Sequence, residues 1–291
     1  MLFKTNSMLK TDKYISQTIA VKDPHRFINT LDVNAHNAII NRLESRAKDK
    51  VFSDLLDNYL LDLNPSMSDN ILEIGCGTGV VLRRLLALFS DLLSVKGLDQ
   101  CPSLIQSGLD QAAKEGVASK LDMSIGDAHK IKFKDCAFDI VIAHTVISHV
   151  TDPAKVLKEI GRVLSKSGTA VIFDGDYASL SYAFPDHEFG SKVDKALVNH
   201  TFNNPKVMRD LPRLLENCNL TLHKAWGNTV SEVGKASYFK SFADTYIGNV
   251  EKSGDIPSSA LEIWRNEQEK AHRNNTFFAS CNYYTYFLKR T

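Results

Sequence analysis

The stretch NILEIGCGTG, residues 70–79, decides the fold. Its first half is short and apolar, the texture of a buried strand. Its second half places glycine at every other position, Gly75, Gly77 and Gly79, and an apolar helical run follows over 80–89. Glycines at this spacing let the backbone turn tightly and approach a ligand without Cβ collisions. The helix start behind them offers unpaired N–H groups and the positive end of a helix dipole. A tight turn with no ligand would read the same in isolation, so the flanking sequence has to decide.

Downstream the chain alternates. Residues 93–99, 121–125, 138–143 and 169–173 read as strands, the last after a Ser-Lys-Ser-Gly turn. Helices are expected over 103–116, stopped by Gly116, and over 153–164, opened by Pro153. Apolar strands alternating with helices predict a doubly wound α/β fold: a mostly parallel sheet with helices on both faces. The alternation breaks at 176–218, which is polar, aromatic and only partly helical. A sixth strand is expected over 220–229, helix again over 231–275, and a long last strand over 277–288, giving seven strands. Upstream, residues 1–30 resist assignment. From Asp32, a candidate N-cap, a single helical pattern runs to Asn64-Pro65. The expected organisation is a helical segment 1–65, a ligand-binding core 66–175, and 176–291 with the remaining strands and a helical, aromatic lid, all in one domain.

Composition narrows the function. Lys plus Arg (35) balance Asp plus Glu (34), so there is no basic surplus for wrapping nucleic acid. The five cysteines are scattered, without a CxxC, which argues against a disulfide framework or a metal site and for a reducing compartment. No apolar run approaches the roughly 18 residues of a membrane span. A cytoplasmic protein is expected, without membrane or nucleic-acid partners; an organellar address and a homodimer both stay open.

Two carboxylates sharpen the site. Asp99 ends the second strand, twenty residues past Gly79, where a carboxylate can accept both hydroxyls of a ribose lying across the sheet. Gly126-Asp127-Ala128 follows the third strand, where Asp127 can accept an adenine amino group; a turn or cap is its plainer reading. With Glu73 ahead of the glycines, this set resembles the class I S-adenosylmethionine-dependent methyltransferases. The likeness covers residues 70–175, and the layout is most similar to ubiquinone/menaquinone-type small-molecule enzymes. It continues through FDIVIAH (138–144), Ser148-His149-Val150, Asp152-Pro153 and the turn at 164–168, where Ser167 replaces a customary glycine. Nicotinamide dehydrogenases instead carry GxGxxG and lack counterparts of Glu73 and Asp127.

The resemblance implies a Rossmann-like methyltransferase fold with S-adenosylmethionine as cofactor and no metal. The implied cofactor contacts are Glu73, Gly75, Cys76, Gly77, Gly79, Asp99, Gln100, Asp127, Ala128 and His144. The methionine carboxylate needs a cation, for which Arg46, with Arg42 beside it, is the candidate; both also read as solvated helix arginines. His149 and His144, after the fourth strand, are candidate bases. For His149 a structural role is the alternative. Of Asp174 and Asp176, Asp176 is the candidate to orient the acceptor; His187 is a weaker candidate. The expected reaction is methyl transfer to a small, largely apolar acceptor, at oxygen or carbon before nitrogen. Kept beside it are a methyltransferase for protein or nucleic acid, a non-catalytic nucleoside-binding protein, and a nicotinamide oxidoreductase.

Overall fold

The structure, a computed structural model, describes residues 33–291. Seven strands form one sheet in the order β3-β2-β1-β4-β5-β7-β6. β1 (Ile71–Ile74), β2 (Val95–Asp99), β3 (Leu121–Ile125), β4 (Phe138–His144) and β5 (Leu164–Tyr182) are mutually parallel. β7 (Phe277–Arg290) inserts antiparallel between β5 and β6 (Leu220–Gly234). The winding direction reverses between β1 and β4, and the crevice outside the carboxyl ends of these two strands is where such sheets bind ligands.

Side chains on a strand point alternately to opposite faces, and here the alternation sorts residues into two cores. Ile71, Ile140, Ile142, Val171 and Phe173 enter one, packed under α2 (Lys50–Leu63), α3 (Val80–Leu88), α6 (His187–Asn199) and α8 (Tyr238–Ser253). Leu72, Ile74, Val141, Ala143, Ala170 and Ile172 enter the other, under α5 (Pro153–Val163) and α7 (Val207–Leu214). Glu73 lies between Leu72 and Ile74, and so belongs to the first face.

The helical pattern expected over 32–64 is two helices, not one. α1 (Val33–Lys48) ends before Asp49, whose carboxylate accepts the N–H groups of Val51 and Phe52 and caps α2. Asp32 lies outside the described residues. The turn expected at 165–168 is inside β5, which runs nineteen residues rather than five. β5 and β7 pair through to Tyr182 and Ala279, past an irregularity between Asp176 and Ser181. Long antiparallel pairing carried both strands beyond the sheet's parallel half. β6 likewise continues to Gly234. The helical stretch after it starts only at α8, followed by α9 (Ser258–Arg273).

Candidate cofactor and acceptor site

The loop between β1 and α3 is held open by backbone geometry. Gly75 and Gly77 have φ +62° and +53°, a region costly for residues with a Cβ. A Cβ on Gly75 would lie 2.5 Å from a Val146 methyl, and one on Gly77 would meet Leu43 of α1 at 3.2 Å. Helix α1 therefore roofs the glycine loop. It is fastened there by Glu44, which accepts the Thr78 hydroxyl at 2.6 Å and two bonds from Arg83 at 2.8 and 2.9 Å. Arg83 also pairs with Glu115.

Two cavities open from the crevice and share Gly75, Asp99, Leu104, Thr145 and His149, so they form one cleft. The first half adds Glu73, Gly77, His144, Arg42 and Arg46, with aromatic walls from Phe52, Tyr177, Phe202, Tyr238, Phe242 and Tyr246. The second adds Gln100, Gly126, Asp127 and Ala128. Every implied contact except Gly79 lines one of the halves. Gly79 instead packs against Met123, and its N–H donates to the Cys76 carbonyl. Cys76 turns its thiol toward Gly97, so only its backbone is available to a ligand.

Asp99 already accepts the N–H groups of Gly77 and Cys101, each at 2.9 Å. It braces the loop as well as facing the cleft. Each carboxylate oxygen carries two lone pairs, so capacity remains for ribose hydroxyls. Burial raises its carboxyl above the ordinary 3.8, opposed by those backbone donors. Glu73 is more extreme: burial, then the nearby Asp99, push it well above 4.5, and Oε2 is buried with no hydrogen-bond partner among the described residues. Asp127 is exposed and accepts both the N–H and the ring of His129, which, with desolvation opposing, leaves its carboxyl below the ordinary range.

Arg46 donates to the Thr145 hydroxyl at 3.3 Å and lies over the rings of Phe52 and Tyr283. His144 bonds Tyr59 through Nδ1 at 2.8 Å and stacks on Phe173. Burial, with Arg46 adding to it, holds its imidazole well below 6.5, which keeps it neutral and makes it a weak base. His149 packs against Phe202, and its charge interaction with Asp174 is among the influences that lower the raised carboxyl of Asp174. Asp174 itself accepts the Ser148 N–H and hydroxyl and the Gly175 N–H, so it positions the segment carrying His149. Asp176 is not brought to the cleft. Buried on β5, it is clasped by Arg209 at 2.8–2.9 Å, which accounts for a carboxylate at this position without any acceptor. His187 is exposed at the start of α6.

Sequence reasoning missed Glu44, Thr78 and Arg83, a polar clasp whose members are distant in the chain. It also missed Phe52 and Phe202 among the wall aromatics. Of the aromatics after residue 176, Tyr182, Phe239, Trp264 and Phe277 are core, whereas Tyr177, Tyr238, Phe242 and Tyr246 line the cleft. No cluster of three or more metal-ligating side chains occurs among the described residues, and no described helix is long and apolar enough to cross a membrane.

Comparison with known proteins follows the same line. Residues 72–172 match the family described as Methyltransferase domain. The chain is 30% identical over 112 residues to ajmaline N-methyltransferase of Rauvolfia serpentina, covering 38% of each chain. It is 29% identical over 136 residues to demethylmenaquinone methyltransferase of Thermotoga maritima, covering 47% of this chain and 55% of that one. The chain thus spans less than two thirds of the length of the curated relatives it matches. Among solved structures, geranyl diphosphate C-methyltransferase from Streptomyces coelicolor A3(2) superposes with a TM-score of 0.51 at 14% identity, over 82% of this chain and 77% of that one, which is a likeness of fold. The glycine loop, the sheet order and these matches together identify residues 72–172 as the methyltransferase domain of a class I, S-adenosylmethionine-dependent fold.

Proposed function

We propose that the protein transfers a methyl group from S-adenosylmethionine to a small organic molecule held in the aromatic half of the cleft. The observation that carries this reading is the orphaned, buried Glu73 Oε2 beside the glycine loop, both lining the cleft. A buried acceptor without a donor is costly; the cofactor's ammonium supplies the missing donor. Asp99 would take the ribose, the strip from Gly126 to Ala128 the adenine, and Arg46, at the boundary of the two halves, the methionine carboxylate.

When bound, the cofactor supplies an electrophilic methyl on a sulfonium. The chain's own part is to hold two reactants in line and keep water out, which accounts for most of such a rate enhancement. The roof of α1 and the walls from Tyr177, Phe202, Tyr238, Phe242 and Tyr246 support an enclosed small acceptor over a polymer. His149, with Asp174 among its electrostatic neighbours, is the better-placed base for an oxygen or nitrogen acceptor, and a carbon acceptor would need its help less. Oxygen or carbon remains the favoured target, although three of the relatives are N-methyltransferases.

Calorimetric titration with S-adenosylhomocysteine tests the reading. Micromolar binding is expected, about −8 kcal/mol, with no response to NADH. Folded protein that gives neither heat nor thermal shift with S-adenosylhomocysteine contradicts it.

A further inference from the structure

The aromatic half of the cleft is not simply apolar. It contains two guanidinium groups, on Arg42 and Arg46, one helical turn apart on α1. Both are part-buried, and each has one buried nitrogen, Arg42 Nη1 and Arg46 Nη2, without a hydrogen-bond partner among the described residues. No ion pair joins either one to a carboxylate among the described residues. Glu44, which lies between them in the sequence of α1, is committed to Thr78 and Arg83. Arg42 instead donates to the Tyr238 hydroxyl at 3.2 Å and lies 5.0–5.1 Å from the ring centres of Tyr238, Phe242 and Tyr246.

Rings of this kind hold a cation in place but do not neutralise it. A buried charge without a counter-ion is expensive, and such groups are normally paired or hydrogen-bonded. Charge counting then constrains the ligands. The cofactor carries one carboxylate against an ammonium and a sulfonium, so it can satisfy one guanidinium and brings net positive charge. Arg46 bonds Thr145, which lines both halves of the cleft, and is placed for that carboxylate. Arg42 faces rings that line only the aromatic half. Among the described residues it is left without a counter-ion, in a cleft that also takes a sulfonium.

We infer that the acceptor carries an anionic group, a carboxylate or phosphate, on an otherwise apolar body, and that Arg42 receives it. This deepens the proposed function and rests on it. The planar guanidinium, fixed by three rings, presents its remaining N–H edge to the anion with little ordering cost. The same pairing sets the acceptor's register, because the anion is anchored at α1 and the body lies against the aromatic wall. Neutral analogues would leave the cation buried and bare, a penalty that discriminates strongly between acid and ester or amide.

The test uses benzoate and benzamide, isosteric probes small enough for the cleft, on full-length protein saturated with S-adenosylhomocysteine. Benzoate should raise the melting temperature and benzamide should not. Arg42→Gln should keep its affinity for S-adenosylhomocysteine but weaken benzoate by about tenfold or more. Arg42→Lys should restore part of the loss, and each variant is compared with its own ligand-free melt, so a purely structural role does not imitate the result. Benzamide binding as well as benzoate, benzoate binding unchanged in Arg42→Gln, or no benzoate response in the loaded wild type each overturns the inference. Failure of S-adenosylhomocysteine itself to bind the wild type overturns the underlying reading instead.

Discussion

Glu73 concentrates the conflict between folding and function at a single side chain. Its carboxyl is buried, lies near Asp99 and is pushed well above 4.5. A carboxyl whose folded value is raised contributes stability below the unfolded value of 4.5, and that contribution is lost as pH rises through the folded value. The ligand-free protein should therefore become more stable as pH falls from neutral, as far as Glu73 is concerned, with Asp99 and Asp174 acting in the same direction. His144 opposes them, because its imidazole is held below 6.5 and its contribution is lost as pH falls past that value. Glu73→Gln removes the charge and keeps the shape. It should raise the ligand-free melting temperature at pH 7.5 by roughly 2 °C or more, and weaken S-adenosylhomocysteine by about 1.5–3 kcal/mol. Thermal melts across pH and calorimetry on the same variant check both halves. A variant that melts lower and binds normally would mean that Glu73 is a structural acid. That Glu73 faces the cleft was legible in the sequence from its place before the glycines. The second duty of Asp99, bracing Gly77 and Cys101, was not, because it depends on how the loop folds back.

Helix α1 is the element that turns a common sheet into a closed site. Leu43 covers Gly77, Glu44 clasps Thr78 and Arg83, and Arg42 and Arg46 reach into the cleft from a single face. The Glu44 side chain is 19% exposed and the Arg83 side chain 7%, so the pair is largely shielded from solvent. Glu44→Ala leaves Arg83 with Glu115 as its one ion-pair partner among the described residues. It should cost about 1–3 kcal/mol of stability and also weaken S-adenosylhomocysteine, since the roof over the glycine loop loses its fastening. Chemical denaturation and calorimetry would measure the two effects. Loss of stability with unchanged affinity would show that α1 packs there without closing the site. Helical periodicity predicted helix on either side of Asp49, but it ran the two helices together. Asp49 is polar in a polar gap, and a cap is invisible to periodicity unless the residue is read as a stop. The expectation for Asp176 failed for a related reason: strand ends attract acidic side chains both for ligands and for partners such as Arg209, and only the fold separates the two.

Over the whole molecule, the parallel half of the sheet was the most legible part. Each strand there is short, apolar and separated from the next by a helix. The antiparallel half was less so. β5, β6 and β7 extend one another through mutual pairing, and their ends are polar enough to read as turns or loops. The two stretches expected to form a lid do send residues to the cleft, Tyr177 and Phe202 from one and Tyr238, Phe242 and Tyr246 from the other, while α1 closes the remaining side. One cleft thus gathers residues from almost the full described length around the reversal point of the sheet. The most direct test is a crystal structure with S-adenosylhomocysteine. The homocysteine ammonium should lie within hydrogen-bond distance of Glu73, about 3 Å, with the ribose on Asp99, the carboxylate on Arg46 and the adenine beside Asp127. A ligand bound with its ribose away from Asp99 and its ammonium away from Glu73, or crystals that stay empty at saturating concentration, would contradict the account.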